Sequence, residues 1–169
     1  PWYFTNIGLA FSFERRHAEA REAYLLALSY SYGDIVATLN FADVELILGN
    51  QAAAQALYGS VLRTLKDNEP ASGPTPEDRL VEAQCLARLG LADEAREAVR
   101  LAMRQQPDDS QLLYKASLVH ALLGDHETSL AFARSALDHD LSPRWFSVSA
   151  FDELRTDPGF QGLLGSSFR

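Results

Sequence analysis

The sequence predicts an all-α chain: four helix-turn-helix hairpins in succession, closed by capping helices at the C-terminus. Three observations carry this expectation. Gly49, Gly90 and Gly124 each end one amphipathic helical pattern and precede another, at intervals of 41 and 34 residues. A step of 34 residues back from Gly49 reaches Arg15 in FERRHAEAREAY, again between two helical patterns. Small residues recur at matched places, as Gly8, Ala42, Ala83 and Ser117 in the first helix of each pair and Ala20, Ala54, Ala95 and Ser129 in the second. Where two helices cross closely, a small side chain lets the backbones approach.

Taken in order, the helices are expected over about 2–14, 18–31, 34–48, 51–66, 76–89, 92–106, 110–123 and 126–138. They group into repeats over about 1–33, 34–66, 76–109 and 110–140. Late in each second helix a small or β-branched residue (Ala27, Val61, Ala102, Ala136) precedes a larger apolar one (Leu28, Leu62, Met103, Leu137). The longer interval is localised by spacing to KDNEPASGPTPED, residues 66–78, whose three Pro and one Gly cannot continue a helix. After Asp138 the phase breaks. Ser142-Pro143 and Thr156-Asp157-Pro158 read as helix starts with Pro in the first turn. Residues 139–169 are expected to form a helical cap and tail, with Trp145, Phe146, Phe151, Leu154, Phe160 and Leu163 covering the last hydrophobic face.

The pattern resembles the tetratricopeptide repeat (TPR) over roughly residues 2–137. The first unit carries the family's first-helix signature loosely, as WYFTNIGLAF with Gly8 and Phe11 in place, although Trp2 falls two residues earlier than the usual Trp. Ala20, Tyr24 and Ala27 match the second helix, Tyr58 repeats the aromatic, and the closing Pro appears once, as Pro107 in RQQPDDS. Glu45 and His120 depart from the pattern, standing where Phe11 and Leu86 supply bulk. The resemblance implies a right-handed α-α superhelix, or TPR solenoid. The ending, with Asp152, Leu154, Arg155, Asp157, Pro158, Phe160 and Leu163, resembles the last segment of bacterial TPR signalling proteins.

Composition narrows the function. Fifteen Lys and Arg against 23 Asp and Glu give a net charge of -8. An acidic chain without a basic stripe is poorly suited to nucleic acid or to anionic membrane surfaces. No apolar run is long enough to span a bilayer. Cys85 cannot close an internal disulfide, so the compartment stays open between cytoplasm and periplasm, with the cytoplasm the expectation. The chain opens on Pro1-Trp2 and is expected to be a piece of a longer protein.

No chemistry is expected within it. The histidines (His17, His120, His126, His139) lack the spacing of a metal set. Asp108-Asp109 precede a helix for which Ser110 would be the N-cap. FERRHAEAREA interleaves charges as a solvated face with i,i+4 pairs. Phosphate-binding loops, kinase phrases and a nucleophile elbow are missing, so neither catalytic residues nor a cofactor are expected.

The function then lies on the surface. The resemblance implies that first helices line a concave groove, with Thr5, Leu9, Ser12, Leu39, Asp43, Leu46, Leu80, Gln84, Arg88, Tyr114, Leu118 and Leu122 as lining. Thr5, Leu9, Leu39 and Asp43 stand where chaperone-tail binders carry Lys and Asn, so no carboxylate clamp is expected. Such a lining suits an amphipathic helix or apolar peptide of a protein partner, or a missing segment of the same protein. An alternative is the regulatory or sensor region of a larger bacterial signalling protein (a Ser/Thr kinase, a cyclase or a winged-helix activator), acting in cis. A third reading is self-association through exposed repeat ends.

Overall fold

The computed structural model describes residues 2–31 and 33–165. Eight helices follow one another as α1 (Trp2–Phe13), α2 (His17–Tyr30), α3 (Ile35–Ile47), α4 (Gln51–Asp67), α5 (Pro76–Arg88), α6 (Ala92–Gln105), α7 (Ser110–Leu122) and α8 (His126–Asp138). Three short 3₁₀ turns (Pro143–Ser147, Ser149–Phe151, Glu153–Thr156) lead into α9 (Pro158–Leu164). The first eight begin and end within a residue of the limits expected from periodicity. The chain divides into two compact units, Pro1–Gly73 and Pro74–Arg169.

One device ends the first helix of every hairpin. Arg15, Gly49, Gly90 and Gly124 adopt φ between +59° and +87°, and the next residue's N–H reaches back to the carbonyl five positions earlier. These bonds are Arg16 to Phe11, Asn50 to Glu45, Leu91 to Leu86 and Asp125 to His120, at 2.8 to 2.9 Å. This is the Schellman ending, which commonly carries a side-chain contact between the same two residues. Arg16 lies over the Phe11 ring at 4.4 Å, Asn50 donates to Glu45 at 2.6 Å, and His120 Nδ1 meets Asp125 at 3.0 Å. The two departures from the repeat pattern are therefore compensated within their own turns.

The starts of α3, α5, α7 and α8 are capped by side chains. Asp34, Asp109 and Asp125 accept backbone N–H groups at the openings of α3, α7 and α8, and Thr75 with Asp78 forms a reciprocal capping box before Pro76. The cap of α7 is Asp109 and not Ser110, because its carboxylate reaches both Gln111 N and Leu112 N at 2.9 Å.

In unit 1, α1 pairs with α2 and α3 with α4, and α2 lies on α3. Ala20, Tyr24, Phe41 and Val44 form one buried apolar cluster there, with Phe11, Leu28 and Leu57 packed against them. Gly8 is required by the Tyr24 ring, since a Cβ there would stand 2.5 Å from it. In unit 2, α5 pairs with α6 and α7 with α8, while α7 lies on both α5 and α6. At the α7–α8 crossing the small pair is Ser117 and Ser129, each hydroxyl donating to the other's carbonyl at 2.8 Å. Phe146, Phe151, Leu154, Phe160 and Leu164 then close over Leu113, Tyr114, Leu118, Ala133 and Ala136.

Candidate interaction surface

The first helices sort the expected lining residues into two classes. Thr5, Leu39, Leu80, Gln84, Tyr114 and Leu118 are buried, none more than 9% exposed. Leu9, Ser12, Asp43, Leu46, Arg88 and Leu122 are half-buried and reach solvent. Neighbouring segments cause the difference. Leu80 belongs to the α5–α8 core. The Tyr114 ring lies 5.4 to 6.0 Å from those of Trp145, Phe146 and Phe151, beneath the C-terminal turns.

Two of the half-buried polar residues serve the paired helix. Tyr58 Oη donates to Asp43 Oδ1 at 2.6 Å, and Ser12 Oγ stands 3.4 Å from Tyr24 Oη. Burial raises the Tyr24 phenol to about 12; the Ser12 hydrogen bond opposes this, the Asp43 charge adds to it and an Asn40 hydrogen bond opposes it. Asp43 and Ser12 thus hold tyrosine heads at the rim of unit 1 while remaining accessible.

Two arginines of the charged stretch after α1 are paired. Arg16 bonds Glu14 and Glu19, and Arg21 crosses from α2 to α3, where its Nε donates to the buried Glu45 at 2.6 Å. Glu45 is 3% exposed and accepts from Asn50 as well, so its charge is compensated on both oxygens. In unit 2, burial holds the Lys115 ammonium below the ordinary lysine range, against the pull of Glu77, Asp109 and Asp78.

The histidines are dispersed. His120 stacks on Phe132 at 5.5 Å, His139 donates to the Ser135 carbonyl, and His126 faces Glu153 at 3.6 Å. Among the described residues no three His, Cys, Asp or Glu side chains could together hold a metal ion, and no helix is long and apolar enough to cross a membrane. A shallow surface depression of about 360 Å³ lies on α5 and α6, with Leu86, Ala98 and Leu101 as apolar lining and Glu82, Asp93, Glu94 and Glu97 beside Arg79.

Periodicity alone missed the exposed apolar residues of unit 1. Trp2, Tyr3, Leu25, Leu26, Tyr30, Val36, Ile47 and Leu48 are exposed in unit 1, against Leu91 alone in unit 2 among the described residues. The signal was present in the register, since Tyr3 repeats at Ala37 and at the buried Leu112.

No protein-family model matches the chain, and no curated protein sequence matches it. Solved structures do match. A chain of the Cut9–Hcn1 hetero-tetramer of the APC/C aligns over 95% of this chain and 31% of its own length at 17% identity, with a TM-score of 0.50. YrrB, described as a TPR protein with an unusual peptide-binding site, aligns over 95% of this chain and 80% of its own at 12% identity and TM-score 0.44. MamA aligns over 94% and 90% at 14% identity and TM-score 0.42. At such identities the likeness is one of fold.

Proposed function

We propose that this chain, which has the helical-hairpin fold of tetratricopeptide-repeat proteins, is a protein-interaction module that binds a peptide or helix of a partner and performs no chemistry itself. The observation that carries this reading is the apolar surface of unit 1. Leu9 and Leu46 reach solvent on α1 and α3, and Ile47 beside Leu46 is 41% exposed. Apolar side chains held outward on rigid helices favour partners that bring anchors of their own, and they cost little to order on binding. Asp43 and Ser12, fixed at the rim by the tyrosines, add oriented hydrogen-bonding groups beside them.

The test is partner capture by the wild-type chain and by Leu9→Glu and Leu46→Glu, two positions at which a carboxylate can stay hydrated. A photo-crosslinking residue at position 47 identifies whatever is bound at this surface. Capture should fall at least about tenfold in both variants, equivalent to about 1.4 kcal/mol, with helicity by circular dichroism unchanged. Equal capture by correctly folded variants would refute the reading. Leu39→Glu and Leu118→Glu are unsuitable, because at 5% and 7% exposure they would bury a charge and unfold their hairpins.

A further inference from the structure

The first helices share one face. Tyr3, Ile7 and Ala10 of α1 stand in register with Ala37, Phe41 and Val44 of α3 and with Leu112, Ala116 and Val119 of α7. All six residues on α3 and α7 are at most 8% exposed, because the preceding hairpin lies on them: α2, with α1 beside it, on α3, and α5 with α6 on α7. On α1 the same face is open. Tyr3 is 60% exposed, Ala10 is exposed and Ile7 is half-buried. On α2 it continues through Leu26 and Tyr30, at 47% and 68% exposure, with the Tyr30 ring stacked on Phe4 at 5.5 Å.

The hairpin itself does not demand apolar residues here. At the same register α5 carries Asp78 and Glu82 before the buried Cys85; Asp78 closes a capping box and Glu82 borders the depression on α5 and α6. The apolar α1 face therefore continues the interface that the α3 and α7 faces make inside the chain.

We propose that this face docks a further helical hairpin of the same pattern, seated on α1 as α5–α6 is seated on α7. The occupant's chemistry follows from the register. It presents small and aliphatic residues, as Leu80, Val99 and Ala102 do in the core beneath α7. Glu45 of α3 takes a charge from Arg21 of the hairpin that covers it, whereas α1 carries Phe11 at that position. The occupant accordingly offers an apolar group there and no buried Arg. This surface is separate from the Leu9 and Leu46 side of unit 1, so partner capture and hairpin docking fail independently.

Pro1 and Ser110 share the repeat register, so a copy of residues 76–109 placed directly before Pro1, with Arg96→Leu at the place that Arg21 holds in its own hairpin, sets that hairpin where it normally precedes α7. Hydrogen exchange across residues 2–13, read by mass spectrometry, should slow about tenfold in the extended chain. Ala10→Glu should abolish the slowing in the extended chain and leave exchange in the original chain unchanged, since Ala10 is exposed there. No slowing, or slowing that survives Ala10→Glu, would overturn the proposal. Sedimentation of the original chain at high micromolar concentration should give a monomer. A dimer dispersed by Ala10→Glu would make a second copy the occupant and overturn it equally.

Discussion

Tyr24 shows how one residue couples packing to chemistry. Its ring fills the space left by Gly8, and its buried phenol is raised from 10.0 to about 12, chiefly by desolvation. A raised folded value means that the unfolded chain ionises first. The stabilisation is whole below pH 10 and is lost as pH rises from 10 to 12, about 3 kcal/mol in all. Urea denaturation across this range should show Tyr24→Phe losing stability less steeply than wild type; parallel curves would contradict the burial argument. Glu45 gives a second residue-level expectation. Removing only its partner, as Arg21→Ala, leaves a buried carboxylate short of a donor and should cost about 1 to 3 kcal/mol. Glu45→Leu places here the residue found in register at Leu86 and leaves Arg21 in partial contact with solvent. It should be neutral within about 1 kcal/mol by the same denaturation. An equal loss in both variants would mean that the pair supplies net stability.

At the level of the element, each hairpin depends on a left-handed residue followed by a backbone bond five positions back. Gly90, at φ +81°, meets no steric penalty there, so Gly90→Ala should cost about 1 to 2 kcal/mol although the new methyl meets nothing within 4 Å. The same ending closes α8, with Asp140 at φ +64° and the Leu141 N–H on the Ala136 carbonyl. Asp140→Gly should therefore gain up to about 1 kcal/mol. Thermal melts of the two variants should move in opposite directions; a shared direction would contradict the conformational argument.

For the whole molecule, the dividing line between the units falls at Gly73 and Pro74, after an exposed run from Lys66 to Ser72. Each unit has its own apolar clusters. Limited subtilisin digestion should cut first within residues 67–73 and leave two fragments. The C-terminal one should retain a cooperative melt, because the 3₁₀ turns and α9 close its core. Loss of helicity in step with that first cut would show that the units do not stand alone.

Local periodicity was enough to set the number of hairpins, the limits of their helices and the small residues at their crossings. Each depends on neighbours three to five positions away or on a single turn, and the sequence spells those out. Exposure is different, because it depends on what another part of the chain lays over a helix. Leu9 and Leu118 occupy the same register, yet Leu9 reaches solvent and Leu118 is covered by the C-terminal turns. Arg21 lies in a stretch that reads as a solvated face, but α3 brings the buried Glu45 to it. The sequence alone determined the repeating hairpin. Tertiary packing decided which of its faces remain open, because burial is a property of neighbours that periodicity cannot name.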